Sequence, residues 1–298
     1  MRRRLINLLR NQKEWLELHR VPLFGHSSDK KLFARYEMTE RTIMDLWESD
    51  PDALYIEPLV GSNAVVLDVG ANLGTFCYAV QRTRQPVHLV AFEPIPILAK
   101  RLRELFKDVA VLEVALSDVT AIRKFCIPYI EGRRCNSRGS LASMVDSDIY
   151  SEISVQSDLL DNVYPPLGLQ TLDLVKIDVE GHELEVVKGG ERTLQRHRPL
   201  LLVEIEQRHH GRESIASVWN VINSLGYTGF FMNRRTLEFD PLEAFSVAEH
   251  QRLEDMGTHR YINNFLFIPA GAAIETWRQR LTAHLRSLMR AHSSLAGR

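Results

Sequence analysis

Short apolar runs recur through the middle of the chain, and segments long enough for helices separate most of them. Residues 74–83 and 96–106 are two such helical segments. Runs without polar alternation are typical of strands buried on both faces, and strands alternating with helices indicate a parallel sheet. The pattern therefore predicts an α/β domain with helices on both faces of the sheet. The apolar runs occupy residues 64–67, 87–92, 109–114, 172–177 and 200–205.

The start of the chain and one internal stretch depart from this rhythm. Apolar residues at helical spacing predict a helical extension at the start, with a helix from Thr39 to Glu48 capped by Thr39. Residues 119–170 are long and polar, which is typical of a hairpin or of an insertion that covers a substrate. We therefore divide the chain into an extension (1–58), a main domain (59–270) and a C-terminal helix and tail (271–298).

Two further patterns precede the C-terminus. Residues 226–232 and 265–268 are rich in aromatic and aliphatic side chains, and two late strands of this kind predict an antiparallel edge. The last apolar positions recur at helical spacing, so we expect an amphipathic helix there. These positions are Ile274, Trp277, Leu281, Leu285 and Leu288.

The composition is that of an ordinary folded protein. The 298 residues are 45% hydrophobic and 25% charged, and the formal net charge of −1 gives no basic face for nucleic acid. Three cysteines without a C-x-x-C pair favour a reducing compartment. No apolar run is long enough for a transmembrane helix, and the run after Arg2–Arg4 is too short for a signal peptide, so we expect a cytoplasmic protein. The basic first helix either packs on the core or touches a membrane surface or partner.

A glycine-containing turn follows the first strand. Asp68 ends that strand, and Gly70, Asn72 and Gly74 follow at alternate positions before a predicted helix. Glycine lets a backbone approach a ligand closely, and asparagine tolerates a positive φ better than most residues. A dinucleotide fingerprint would also require glycine at positions 72 and 75, so the turn disfavours NAD. An ordinary tight turn is the structural alternative.

Polar residues also follow the next two strands. Glu93 ends the second strand, where a carboxylate can accept hydrogen bonds from both ribose hydroxyls of a nucleoside. Ser117 and Asp118 follow the third strand, and the aspartate could accept from the exocyclic amine of adenine. A solvated strand-end glutamate and a turn aspartate are the structural alternatives.

Ionisable residues are most concentrated after the fourth and fifth strands. Asp178, Glu180 and His182 follow the fourth strand and are candidate catalytic residues. The carboxyl ends of parallel strands share one edge of a sheet, and ligands bind there. All the polar clusters are therefore expected in one cleft. The fifth strand ends in two acids and a tandem histidine, which are Glu204, Glu206, His209 and His210.

With these residues in place, the sequence resembles the FkbM methyltransferase family over roughly residues 60–270. The DVGAN and IDVEG strings, in this order, are the most specific part of the resemblance. The first 55 residues and the C-terminal helix carry no shared motif. The stretches that carry the resemblance are VLDVGANLG (66–74), FEP (92–94), ALSD (115–118), KIDVEGHE (176–183), VKGG (187–190), LVEIE (202–206) and NFLFIP (264–269).

The resemblance implies a class I (Rossmann-like) methyltransferase fold, with a mostly parallel seven-stranded sheet whose last strand is antiparallel. It implies S-adenosylmethionine as cofactor, and O-methylation of a sugar, a polysaccharide or glycolipid component, or a secondary metabolite. Asp178 and Glu180 would lie beside the transferring methyl, whereas position 182 is not fixed in the family pattern. The implied cofactor contacts are Asp68, Gly70, Asn72 and Gly74 around the methionine part, Glu93 on the ribose, and Ser117 with Asp118 near the adenine.

An alcohol needs a general base or a metal ion before it attacks a sulfonium methyl near neutral pH. One hypothesis is that Mg²⁺ activates it on oxygen ligands from Asp178, Glu180 and Glu204. The other is that Asp178 or a neighbouring histidine takes the hydroxyl proton; the histidines are His182, His209 and His210.

Three other classes of protein are compatible with parts of the pattern. An NAD-linked oxidoreductase could use a related sheet, but the glycines that it needs are missing. A non-catalytic cofactor-binding module would not need the acids at Asp178 and Glu180. A nucleic-acid methyltransferase would be expected to carry an Asn-Pro-Pro-Tyr-like string, which the sequence lacks. We expect the 1–58 and 119–170 segments to select the acceptor, although neither contains a recognisable motif.

Overall fold

The computed structural model describes residues 33–34, 40–83, 85–130, 133–134, 139–141, 150–211 and 214–293. The predicted first helix and the predicted cap at Thr39 lie outside the described residues. Cys135 and most of the stretch between 131 and 149 also lie outside them.

The five predicted core strands are all present. Their observed ends differ from the apolar runs by a few residues, as expected for boundaries inferred from a pattern. In the described residues the strands are β1 (Ala64–Val69), β2 (Val87–Phe92), β3 (Ala110–Leu112), β4 (Ala115–Leu116), β5 (Ala121–Ile130), β6 (Arg133–Arg134), β7 (Tyr150–Asp158), β8 (Leu174–Ile177), β9 (Leu200–Glu204), β10 (Tyr227–Met232), β11 (Phe239–Pro241) and β12 (Asn264–Pro269).

Eight of the described strands form the main sheet, in the order β11-β10-β12-β9-β8-β1-β2-β3. β1 pairs in parallel with β2 and β8, and β8 pairs in parallel with β9. β12, the last strand, runs antiparallel to both of its neighbours, β9 and β10. The predicted α/β architecture is therefore confirmed. The predicted count of seven strands is wrong by one, because the three-residue β11 adds an edge to β10 and is too short to show an apolar pattern.

Each face of the main sheet has its own apolar core, since successive residues of a strand point to opposite faces. In β1, Val65 and Leu67 join one core, and Val66 joins the other. Leu281 and Leu285 of the C-terminal helix are fully buried on the Val66 side, as their spacing predicted. Both faces are therefore covered, which leaves the carboxyl edge of the strands as the place for a ligand.

The helices surround this sheet and agree with the predicted helical segments where those were defined. No helix in the described part of the chain is long and apolar enough to cross a membrane. The helices are α1 (Glu40–Ser49), α2 (Ile56–Leu59), α3 (Thr75–Arg82), α4 (Pro96–Leu105), α5 (Leu160–Val163), α6 (Glu183–Gly189), α7 (Glu191–His197), α8 (Gln207–His210), α9 (Ala216–Ser224), α10 (Val247–His250) and α11 (Ile274–Ser293).

The polar insertion forms a second, smaller sheet, in which the described strands follow the order β4-β7-β5-β6. β5 and β7 are the two arms of a long antiparallel hairpin, in which Ala121 faces Ser157 at one end and Pro128 faces Tyr150 at the other. Ile127 and Phe125 pack from this hairpin against Ile95 and Leu98. The insertion therefore lies beside the ends of β2 and β4.

Candidate active site

Two cavities open at the carboxyl edge of the main sheet and meet at Asp178 and Glu180. The narrow cleft holds about 550 Å³, counting the open space at its mouth. The wide cavity holds about 1360 Å³ on the same measure. Asp178 and Glu180 border both spaces, so these two residues stand where the contents of the cavities would touch. The narrow cleft is lined by Val69, Gly70, Asn72, Phe92, Glu93, Pro94, Ile95, Val114, Ala115, Leu116, Phe125, Gly139, Leu141, Asp178, Val179, Glu180 and His182.

The glycine-containing turn after β1 forms one wall of the narrow cleft. Gly70 and Gly74 have φ of 84°, and Asn72 between them has φ of 48°. The expectation that Asn72 tolerates a positive φ is confirmed. A Cβ on Gly70 would lie 1.9 Å from the Asp178 carbonyl oxygen, so only glycine fits at this point. The turn is therefore held against the residues that follow β8.

Glu93 supports the same turn from the end of β2. One carboxylate oxygen accepts the Asn72 amide and the other accepts the Ile95 amide, both at 2.8 Å. The side chain is 3% exposed, and this burial raises the pKa of Glu93 to about 7 despite the two amide hydrogen bonds. Each oxygen keeps a second lone pair, so the carboxylate can still accept from a ligand.

The residues predicted near an adenine, Ser117 and Asp118, follow a wall of the narrow cleft but do not line it. Ser117 is fully buried, and its hydroxyl lies 2.9 Å from Nε2 of His182. Asp118 is exposed, and the cleft wall here is built from Val114 to Leu116. His182 lines the narrow cleft but not the wide cavity, and burial lowers the pKa of its ring. The contact between Ser117 and His182 therefore connects the residues after β4 to the start of α6.

The junction of the two cavities is built by the residues that follow β8. Oδ2 of Asp178 lies 2.8 Å from Nζ of Lys176, which also lines the wide cavity. Burial alone would lower the pKa of Lys176, but the surrounding carboxylates, Asp178 first, raise it. Glu180 has φ of 53°, a left-handed conformation that is uncommon for a residue other than glycine. Such a conformation persists only where the surrounding structure fixes it.

Two cationic side chains hold the carboxylate of Glu180 in place. Nη2 of Arg208 lies 3.3 Å and Nε2 of His209 lies 3.0 Å from its Oε2 atom. Burial raises the pKa of Glu180, and the hydrogen bond from His209 opposes this effect. For His209, the Glu180 contact outweighs burial and raises the pKa of the ring. His209 is thus a partner of Glu180, and it does not line either cavity.

Two further glutamates line the wide cavity, and their pKa values are shifted in opposite directions. Glu204 accepts a hydrogen bond from Asn263 at 2.7 Å, and burial with nearby acids raises its pKa well above the usual range. Burial would also raise the pKa of Glu206, but the hydrogen bonds and charge of Arg208, with the Tyr261 hydroxyl, lower it to about 2. The carboxyl edge therefore presents one glutamate whose pKa is raised and one whose pKa is lowered.

Mg²⁺ is not supported at this edge. Among the described residues, Glu180, Glu206 and His209 offer ligand atoms within 4.8 Å of one another, whereas the predicted set paired Glu180 with Asp178 and Glu204. Arg208 donates to both oxygens of Glu206 at 2.7 and 2.9 Å, and Tyr261 donates to the same carboxylate. Arg208 thus already engages both oxygens of Glu206, and the predicted set does not bring its ligand atoms within the same distance of one another, so neither set fits Mg²⁺.

Sequence reasoning missed several residues of this site. Lys176 and Arg208 lie one or two positions from predicted residues, so their proximity was the available signal. Asp52 and Tyr261 come from segments without a motif. Within the described residues, the insertion contributes Phe125 and positions 139 and 141 to the narrow cleft but nothing to the wide cavity. The wide cavity is closed instead by residues 50–56 and 256–264.

The chain belongs to the FkbM methyltransferase family. The model of the methyltransferase FkbM domain matches residues 68–228, which is more than half of the chain. This match begins at Asp68, near the end of β1, and includes the narrow cleft and the strand-end residues of β8 and β9.

Curated relatives resemble the middle of the chain. Methyltransferase sdnD of Sordaria araneosa is 28% identical over 157 residues, which cover 43% of this chain and 61% of that protein. The 2-O-methyltransferase NoeI of Sinorhizobium fredii is 31% identical over 148 residues, which cover 45% of this chain and 60% of that protein. The chain thus spans about three fifths of the length of these relatives.

A solved structure of methyltransferase FkbM from Methylobacillus flagellatus KT is also similar. It is 14% identical with a TM-score of 0.43, and the match covers 80% of this chain and 57% of that chain.

Proposed function

We propose that this protein transfers the methyl group of S-adenosylmethionine to a hydroxyl of a small, polar acceptor, such as a sugar or glycan component. The observation that carries the proposal is the meeting of the narrow cleft and the wide cavity at Asp178 and Glu180. A cofactor in the first space and an acceptor in the second would have their reacting atoms at this junction. Alignment of this kind supplies much of the acceleration in a group transfer.

The narrow cleft suits the proposed cofactor. The left-handed turn at Gly70, Asn72 and Gly74 is a cradle that a Cβ at position 70 would fill, and it would face the methionine part. The second lone pairs of Glu93 are available to ribose hydroxyls. Adenine would lie against the apolar wall from Val114 to Leu116. The bound cofactor supplies an activated methyl on a sulfonium, so the protein supplies position and proton transfer.

Asp178 is the proposed general base. It borders both cavities and is 29% exposed, whereas the side chains of Glu180, Glu206 and His209 are each at most 15% exposed. A base must reach the acceptor hydroxyl within hydrogen-bond distance, which favours the most accessible carboxylate at the junction. Lys176 holds one oxygen of Asp178, so the other oxygen can accept the proton.

Glu180 is proposed to orient the acceptor, with Arg208 and His209 fixing its carboxylate. The role of His182 as a catalytic group stays a prediction, and its position in the narrow cleft favours a cofactor-side role. Ser117 and Asp118 also stay predictions as adenine contacts.

A hydroxyl-rich acceptor fits the lining of the wide cavity. Carboxylates, amides and a tyrosine hydroxyl face it, and these groups hydrogen-bond to several hydroxyls at once. The relative NoeI is a 2-O-methyltransferase, which supports oxygen as the methyl acceptor.

Calorimetric titration with S-adenosylmethionine tests the proposal. The native chain should bind it, and Glu93→Ala should lower the affinity at least tenfold, or about 1.4 kcal/mol. Glu57→Ala, which changes an exposed glutamate outside both cavities, is the matched control and should bind like the native chain.

An acceptor screen with labelled cofactor should then begin with sugars. Absence of cofactor binding by the native chain would overturn the methyltransferase proposal, and a parallel titration with NAD would test the oxidoreductase alternative. Cofactor binding without transfer to any hydroxyl compound would favour a non-catalytic module.

A further inference from the structure

A third cavity, the basic cavity, lies next to the wide cavity and is not used by the proposed reaction. It holds about 840 Å³, counting the space at its mouth. The segment from 255 to 263 separates the two, because some of its residues line one cavity and the rest line the other. The basic cavity is lined by Phe231, Asn233, Arg234, Arg235, Glu249, His250, Arg252, Asp255, His259, Arg260 and Ile262.

Four arginines and two acids line the basic cavity, so its wall carries an excess of positive charge. Guanidinium groups present a planar fork of donors that matches carboxylate and phosphate oxygens. Four of them around one concave space are therefore a preformed arrangement for an oxyanion.

Arg234 is the most deeply buried of these arginines, at 8% exposure. Its Nη2 atom lies 2.7 Å from Oδ2 of Asp52, which lines the neighbouring wide cavity. Its Nε and Nη1 atoms have no hydrogen-bond partner among the described residues. Buried donors in a folded protein nearly always have a partner, so this guanidinium calls for a further acceptor.

A buried carboxylate holds two more arginines at the cavity wall. Asp255 is 4% exposed and accepts from Arg252, with 2.8 Å between Nε and Oδ2. Nε of Arg260 lies 3.5 Å from the other oxygen of the same carboxylate. The two side chains are therefore directed by one anchor, while part of each guanidinium is exposed.

We infer that the basic cavity is a binding site for a phosphate-type oxyanion. Arg234 forms its buried wall, Arg252 and Arg260 are placed by Asp255, and the exposed Arg235 completes the rim. The oxyanion belongs either to the acceptor, which would then extend from the wide cavity, or to a separate ligand. This inference does not depend on methyl transfer.

Titration with inorganic phosphate at constant ionic strength tests the site. The native chain should bind phosphate saturably, and the rim variant, Arg235→Gln with Arg260→Gln, should weaken binding at least tenfold. Both side chains are exposed, so this variant should fold normally. Arg103→Gln with Arg280→Gln removes the same charge from exposed arginines elsewhere and is the matched control.

A further variant tests the buried wall itself. Arg234→Lys keeps a cation beside Asp52 but removes the planar fork, so phosphate should bind more weakly while the melting temperature changes little. Equal phosphate binding by the native chain and the rim variant would overturn the inference, as would no binding at millimolar phosphate. S-adenosylmethionine titration of the same samples separates this failure from failure of the proposed function.

The source of the oxyanion is resolved by comparing ligands. If it belongs to the acceptor, a hexose 1-phosphate should bind more tightly than either phosphate or the free hexose, and the rim variant should remove this advantage. If it belongs to a separate ligand, phosphate and the hexose 1-phosphate should bind equally well, and both should weaken in the rim variant.

Discussion

The narrow cleft and the wide cavity share Asp178 and Glu180, but they are built differently. The narrow cleft is made largely from backbone and apolar side chains at the ends of neighbouring strands, and its most constrained residue is Gly70. The wide cavity is made from charged and amide side chains that come from distant segments, such as Asp52 and Tyr261. Backbone geometry thus defines the proposed cofactor site, whereas paired charges define the proposed acceptor site.

This difference explains how each region should respond to substitution. A cleft built on backbone turns is disturbed by an added Cβ, which cannot be moved aside. A cavity built on paired charges is disturbed when one partner of a pair is removed and the other stays buried. Three substitutions and one pH dependence test this contrast, with expected effects that decrease in that order.

Gly70→Ala should have the largest effect, because the new Cβ would overlap the Asp178 carbonyl oxygen in a left-handed turn. We expect loss of S-adenosylmethionine binding by more than about a thousandfold, or about 4 kcal/mol, in calorimetry. Gly61→Ala is the control, since nothing lies within 4 Å of its added Cβ. Retained affinity in Gly70→Ala would show that the turn does not shape the cofactor site.

Asp178→Asn should follow in size. Loss of the proposed base should lower the rate of methyl transfer by about 10²–10⁴-fold, while cofactor affinity stays close to that of the native chain. Single-turnover transfer to an acceptor found in the screen measures this rate. Asp108→Asn changes an exposed aspartate away from both cavities and serves as the control. An unchanged rate in Asp178→Asn would show that another group is the general base.

Arg234→Met should destabilise the wall between the wide and basic cavities. It leaves Asp52, which is 5% exposed, without its cation, and breaking a buried pair costs about 3–5 kcal/mol. Urea unfolding measures the free energy of unfolding. Adding Asp52→Asn to this variant should restore part of the stability, because the unpaired buried charge is removed. No recovery in the double variant would argue that packing, and not charge, holds this wall.

The pH dependence of cofactor binding should show the smallest effect. Burial raises the pKa of Glu93 to about 7, and bound ribose hydroxyls would favour the ionised carboxylate. Affinity should therefore rise with pH up to about 7 and level off above it, by at most about tenfold per pH unit. Calorimetry across this range should show the rise in the native chain, and Glu93→Gln should lack it. The same rise in both proteins would assign it to another group.

The raised pKa of Glu93 also has a consequence for stability. The native carboxyl keeps its proton between pH 4.5 and about 7, where the unfolded chain has lost it. The native state binds more protons there, so the contribution of Glu93 to the free energy of unfolding falls as pH rises through this window. Glu93→Gln should remove that slope.

The sequence predicted most of the architecture and several residues of the candidate site. The strands, the helices after β1 and β2, and the amphipathic α11 followed from apolar periodicity, which is a local property. Glu93 and Asn72 were identified because both lie at strand ends beside a glycine turn. The edge strand β11 was missed because three residues show no periodicity. The smaller sheet formed by the insertion was foreseen only as a hairpin.

The chain alone therefore encodes its apolar runs, the turn at Gly70 and the acids that follow β8 and β9. Consecutive residues encode these features, so they can be recognised without coordinates. The wide and basic cavities, by contrast, form only when the chain has folded. Asp52 and Arg234 form a pair across 182 positions of sequence. The ion-pair partners of Glu180 and Asp255 likewise depend on how loops fold over the sheet edge. An ion pair requires two side chains to be close in space, and this leaves no pattern among neighbouring residues of the sequence.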